Sequence, residues 1–171
     1  IRVFFEDSQN RLWIGGLGAL HCYVSGKLKH FGVADGFPAS VAIGAIAEDA
    51  SGAIWIGTGT GDLWRYQNNQ FTCFHTPAEW SSCRFAALQA DANGGCWAVT
   101  LGNGLLRFQN GRFTSFRTQE GLPYDNITQL LDDGNGNLLQ SSYADSTLNA
   151  SYHYDDPDSV VSCGLANFPA N

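Results

Sequence analysis

Methionine is absent from this 171-residue sequence, and Lys and Arg together number nine against sixteen Asp and Glu. A formal charge of −7 leaves no basic patch to displace the counterions of a nucleic acid. It disfavours an anionic membrane surface for the same reason. The expected partners therefore include no nucleic acid and no membrane. No apolar run approaches the roughly 20 residues of a spanning helix, and no signal-peptide pattern is present. The chain opens inside a strand-like run, Ile1-Arg2-Val3-Phe4-Phe5, and with no methionine it reads as a piece of a longer protein.

The chemistry-bearing motifs are also sparse. Cys22, Cys73, Cys83, Cys96 and Cys163 form no CxxC, and no Cys/His spacing resembles a zinc site. They read as small buried or half-buried thiols, with a disulfide left open for an oxidising compartment. His21, His30, His75 and His153 form no His-x-His or His-x-x-x-His pair, and no GxSxG elbow occurs. The Gly-x-Gly-x-Gly at 57 to 61 opens no helix, which excludes a dinucleotide loop. These absences predict no catalytic residue, no metal and no cofactor. At 44% hydrophobic and 15% charged residues the chain is nevertheless globular and not disordered.

What the sequence has is repetition. Asp7, Asp49, Asp91 and Asp133 each follow the last by 42 residues, and Trp13, Trp55 and Trp97 keep the same interval. Leu139 stands where a fourth Trp would fall. Apolar residues recur six and three positions before each Asp, as in Ile1/Ile43/Phe85/Ile127 and Phe4/Ile46/Leu88/Leu130. An odd spacing puts the two on opposite faces of a strand, so both faces are buried. Asp-led turns such as Asp49-Ala50-Ser51-Gly52 follow, with Asp bonding the turn backbone and Gly or Asn providing positive φ. A Trp-bearing second strand, a Gly-rich corner, a third strand such as Leu63 to Tyr66 and an aromatic-x-x-aromatic fourth strand (Phe71/Phe74, Phe113/Phe116) complete the unit.

Four short antiparallel strands per period cannot stand alone and must pack on their neighbours. A repeat of about 42 residues matches a propeller blade. The expected fold is all-β, a partial β-propeller of about three and a half blades. The propeller fragment spans 1–142, with blades near 1–40, 41–82 and 83–125 and a partial one at 126–142. Residues 143–171 are polar and aperiodic and read as an irregular or disordered tail.

The string from Glu48 to Tyr66, E-D-x-x-G-x-I-W-I-G-T-x-x-G-x-L-W-R-Y, resembles the two-component regulator propeller repeat, as does the Gly-Leu-Pro-Tyr-Asp-Asn-Ile join at 121 to 127. The resemblance implies a many-bladed propeller forming the periplasmic sensor region of a bacterial receptor whose output is a histidine kinase or a diguanylate cyclase. It also implies a glycan-derived ligand and a homodimeric parent. On this reading the chain is a non-enzymatic ligand-binding sensor. A propeller enzyme (lyase or glycosidase) and a pure interaction scaffold are the alternatives.

The repeated Asp7, Asp49, Asp91 and Asp133 read as turn chemistry and not as metal ligands, because a calcium loop's later bidentate Glu is missing. Trp13, Trp55 and Trp97 read as packing between blades. The repeat breaks at Thr76 to Arg84, where an extra Trp and an Arg replace the Gly-Phe-Pro or Gly-Leu-Pro join. Trp80, Arg84, Tyr124, Asp125 and Asn126 are the predicted ligand-binding residues, since an aromatic with polar neighbours suits a sugar. The competing reading of Trp80 is a plug between blades.

Overall fold

The computed structural model describes residues 1–81, 83–90, 94–100, 102–122, 125–132, 137–142, 145–153 and 160–161, with side chains described up to 131 except at 128. The chain forms four antiparallel sheets of four strands, each paired in sequence order. The first holds β1 (Val3–Glu6), β2 (Leu12–Gly15), β3 (Leu20–Val24) and β4 (Lys27–Phe31). The second holds β5 (Ile43–Glu48), β6 (Ile54–Thr58), β7 (Leu63–Gln67) and β8 (Gln70–Phe74). The third holds β9 (Phe85–Ala90), β10 (Cys96–Thr100), β11 (Gly104–Gln109) and β12 (Arg112–Phe116). The fourth holds β13 (Ile127–Asp132), β14 (Asn137–Ser142), β15 (Asp145–His153) and β16 (Val160–Val161).

The fold is the β-propeller that the 42-residue period predicts. The fourth blade differs from expectation. Where the sequence reads as an irregular tail, β15 pairs with β14 and β16 with β15. The fourth blade has Leu139 where the others carry the repeated Trp of the second strand, so nothing in the repeat pattern marks the strands that follow.

First strands of successive blades lie side by side, β1 by β5, β5 by β9 and β9 by β13. They are therefore the inner strands, and β4, β8 and β12 the outer ones. Three hydrophobic cores fill the gaps between blades. Trp13, Leu20, Phe31, Ile43, Ile46 and Ile54 belong to the first. Trp55, Leu63, Phe85, Leu88, Cys96 and Leu106 belong to the second, and Trp97, Val99, Leu105, Phe116 and Ile127 to the third. Each repeated Trp faces the following blade. Together Trp13, Trp55 and Trp97 are 0 to 1% exposed, and rings of this size dominate core energetics.

The blades approach most closely near the axis. A Cβ on Gly57 would come within 2.7 Å of the Phe85 side chain, and one on Gly15 within 2.6 Å of Ile43. Gly57 lies within β6, so its role is to admit the first inner-strand side chain of the next blade. That corrects the corner role its Gly-Thr context suggests. The corner itself is held by Thr58, whose Oγ1 donates to the Asp62 carbonyl and accepts from Asp62 N.

Candidate functional site

The repeated Asp is a structural hub. Asp7 accepts from the backbone N–H of Gln9 and of Arg11, each at 2.9 Å, and from Trp13 Nε1 at 2.7 Å. Asp49 accepts from Ser51 N at 2.9 Å, Ala53 N at 3.1 Å and Trp55 Nε1 at 2.9 Å. The spacing of six between Asp and Trp is therefore what lets one carboxylate close the turn and orient the indole. An arginine completes each unit, from a different position in different blades. Arg11 pairs with Asp7 and lies 5.3 Å from the Trp13 ring centre. Arg65, opposite Trp55 across the β6/β7 pair, bonds Asp49 at 3.0 Å and sits 5.3 Å from that ring. Arg107 sits 4.8 Å from Trp97. Asp91 and Asp133 lie outside the described residues.

Burial raises the pKa of Asp7 and is the largest single influence on it. The bonds from Trp13, the Arg11 backbone and the Arg11 side chain together outweigh it and hold the group below its ordinary value. Asp49 behaves alike, with burial opposed by Ser51, Trp55, Ala53 and the charge of Arg65.

Trp80 is not on a surface. It is fully buried in the core between the second and third blades. Its Nε1 donates to Ser115 Oγ at 3.0 Å, and Arg117 lies 5.8 Å from the ring. Phe37 and Leu122 occupy the corresponding place in the other two cores, 1% and 3% exposed. All three links begin with a single 3-10 turn, at Val33–Asp35, Ala78–Trp80 and Thr118–Glu120. Two of these turns end on a left-handed glycine, Gly36 at φ 82° and Gly121 at φ 99°. The middle one ends on Ser81 at φ −60°, so the plug moves into the turn and a Trp takes it over. A ring buried in this way offers no face to a sugar, and the plug reading of Trp80 is the one the structure supports.

Arg84 is exposed at the mouth of the inner strands. A Cβ on Gly44 would lie 3.4 Å from Arg84 Cγ, so the side chain packs along β5 beside that glycine. Arg84 shares a cleft of about 280 Å³ with Arg2, Gly44, Phe85 and Ala86. Asn126 holds the same position in the next blade. Its Oδ1 is buried without a hydrogen-bond partner among the described residues. The corner of the third blade joins the two places, because Asn103 Nδ2 donates to Cys83 Sγ and Gly104 N donates to the Asp125 carbonyl at 2.7 Å. Asp125 turns its carboxylate back onto the link, accepting from Thr118 N at 2.7 Å and Thr118 Oγ1 at 3.3 Å. It staples the link. Tyr124 lies outside the described residues.

A second constellation went unseen in the sequence. Asp62, Cys73 and His75 place one ligand-type atom each within 4.8 Å of one another. Strand spacing was the available signal. Cys73 and His75 are two residues apart, hence on one face, and the Leu63 to Phe74 pairing sets Asp62 opposite His75. Cys22, Cys73 and Cys83 are free thiols.

Together, Asp-anchored Trp residues fill the gaps between blades and an open polar mouth lies at the inner strands, on a β-propeller whose repeat is the scaffold. Residues 36–60 match the family described as two component regulator propeller, in agreement with the resemblance carried by Glu48 to Tyr66. The fold is similar to the extracellular domain of a protein assigned as a one component system, BT4673 of B. thetaiotaomicron, at 20% identity and a TM-score of 0.67, covering 83% of this chain and 20% of that one. It is similar to the extracellular domain assigned to the hybrid two component system BT3049 of the same organism, at 25% identity and 0.63, covering 88% and 21%. Virginiamycin B lyase from Staphylococcus aureus shares the fold at 12% identity and 0.64, covering 91% and 56%. The chain thus spans about a fifth of the length of the two extracellular domains. No curated protein matches.

Proposed function

We propose that this chain is part of the sensor propeller of a bacterial signalling receptor, acting outside the cytoplasm by binding and not by catalysis. The observation that carries the reading is the family repeat at 36–60, set in blades shared with extracellular receptor domains. On this reading the parent receptor is periplasmic and homodimeric, and its output is a histidine kinase or a diguanylate cyclase.

The ligand face is the mouth of the inner strands. Arg84 and Arg2 line one cleft there, and Asn126 repeats the position of Arg84 one blade on. Paired guanidinium groups with an amide suit an acidic oligosaccharide, whose carboxylate or sulfate takes the charge while its hydroxyls take the amide. Trp80 supports this face from within and Asp125 by stapling the link, and neither touches the ligand.

Calorimetric titration of the intact receptor with neutral and acidic oligosaccharides tests the reading. Arg84→Ala and Arg2→Ala are each expected to weaken binding of an acidic oligosaccharide about tenfold or more, as losing a charge-assisted bond of about 1.5–3 kcal/mol implies. Undiminished binding by both variants would overturn the assignment of the face. Hydrolysis or elimination of a glycan by the purified receptor would overturn the non-enzymatic reading.

A further inference from the structure

Whatever recurs in every blade is accounted for by packing, so features confined to one blade carry separate information. Asp62, Cys73 and His75 are such features. By strand register, Asp62 corresponds to Ala19 and Gly104, Cys73 to His30 and Ser115, and His75 to Gly32 and Arg117. Neither sibling blade has three donors there. The second blade has a carboxylate, a thiol and an imidazole on one side of its outer strand pair.

The three are also held in place. His75 Nδ1 is 2.8 Å from Asp62 Oδ1 and 3.8 Å from Cys73 Sγ. Thr60 Oγ1 donates to Asp62 Oδ2 at 3.1 Å, and Thr58 Oγ1 accepts from Asp62 N. Thr76 Oγ1 donates to the Gly61 carbonyl at 2.7 Å, which clamps the end of β8 to the corner bearing Asp62. The carboxylate thus has one outer-shell hydroxyl, that of Thr60, and hydroxyls of Thr58 and Thr76 hold the backbone that carries it.

We infer that Asp62, Cys73 and His75 form a site for a borderline-soft divalent cation, with zinc as the fitting ion. Tetrahedral zinc takes sulfur at about 2.3 Å and nitrogen or oxygen at about 2.0–2.2 Å, which sets neighbouring ligand atoms about 3.4–3.7 Å apart. The sulfur-to-nitrogen distance already lies near that range, and the oxygen and nitrogen need to part by a little over half an ångström. Side-chain rotation of His75, 83% exposed, supplies that movement. Three protein ligands leave the fourth position to water. Calcium and magnesium, which take oxygen donors, do not fit a set containing sulfur and nitrogen. The Cys73 thiol is pushed up to about 11, first by burial and then by the charge of Asp62. It is therefore protonated when the ion is absent, and binding transfers that proton to solvent as the sulfur–metal bond forms.

Cobalt(II) titration of the intact receptor, followed by absorbance, tests this directly. A thiolate-to-cobalt charge-transfer band in the near ultraviolet and tetrahedral d–d bands are expected, and one equivalent of zinc should erase both. Cys73→Ser should abolish the charge-transfer band. His75→Ala, at a side chain too exposed to disturb folding, should weaken cobalt affinity at least tenfold while the tryptophan fluorescence stays unchanged. Cys83→Ser should leave all signals intact. Absence of the charge-transfer band, or its survival in Cys73→Ser, would overturn the site.

Discussion

At the scale of single residues, the unit that recurs is Asp, Trp and a cation. Asp49 satisfies two turn N–H groups, one indole N–H and one guanidinium at once. Asp49→Asn keeps the shape but removes the charge and turns one acceptor into a donor facing donors. The expected cost at pH 7 is about 2–4 kcal/mol, read as a lower denaturant midpoint. Both Asp7 and Asp49 titrate below their ordinary value in the fold, so their contribution is complete above the unfolded carboxylate range. It should be lost as pH falls below about 4. Denaturant melts across pH 2–7 should show that loss, with a shallower acid limb in Asp49→Asn. The Asp-to-Trp interval of six was plain in the sequence because both partners repeat. The arginine was not, since it comes from the residue just before β2 in one blade and from the third strand in the next two.

At the scale of elements, the links are where sequence and structure part. Gly36-Phe37-Pro38 and Gly121-Leu122-Pro123 announce themselves as turns, while Thr76 to Arg84 reads as an interruption. The structure shows the same device in another form. A plug side chain is retained and the left-handed glycine is dispensed with. Trp80→Ala should cost about 3–5 kcal/mol, with the melt displaced and ligand affinity per folded molecule unchanged. Trp80→Phe should cost less than half as much. A loss of affinity without loss of stability would return Trp80 to the ligand face. Arg84 was legible as a candidate because it broke the pattern. Asp62, Cys73 and His75 were not, because only the β7/β8 register brings residue 62 to residue 75.

At the scale of the whole molecule, equivalent positions differ in burial according to their neighbours. Ile46 and Leu88 are 7% and 8% exposed because a blade precedes theirs, whereas Phe4, their counterpart, is 57% exposed. Leu28 is 60% exposed, while Phe71 and Phe113 at its place in the next blades pack against a core. An uncovered sheet face of this kind favours association. The isolated chain is expected to sediment as more than a monomer or to melt broadly. A sharply melting monomer in sedimentation and calorimetry would contradict this.

The bare backbone at Gly44 has one more implication. A Cβ there would stand 2.1 Å from the Phe85 carbonyl oxygen, so β5 and β9 meet with nothing between them at the hub, while tryptophans wedge the same blades apart further out. The difference between those two thicknesses, divided by the radial distance between them, is an angle, and a full circle divided by that angle is a blade count. The size of the ring this segment can join is thus written jointly by glycine at the inside and tryptophan at the outside. Exchanging either one for a residue of another size alters how many copies can close.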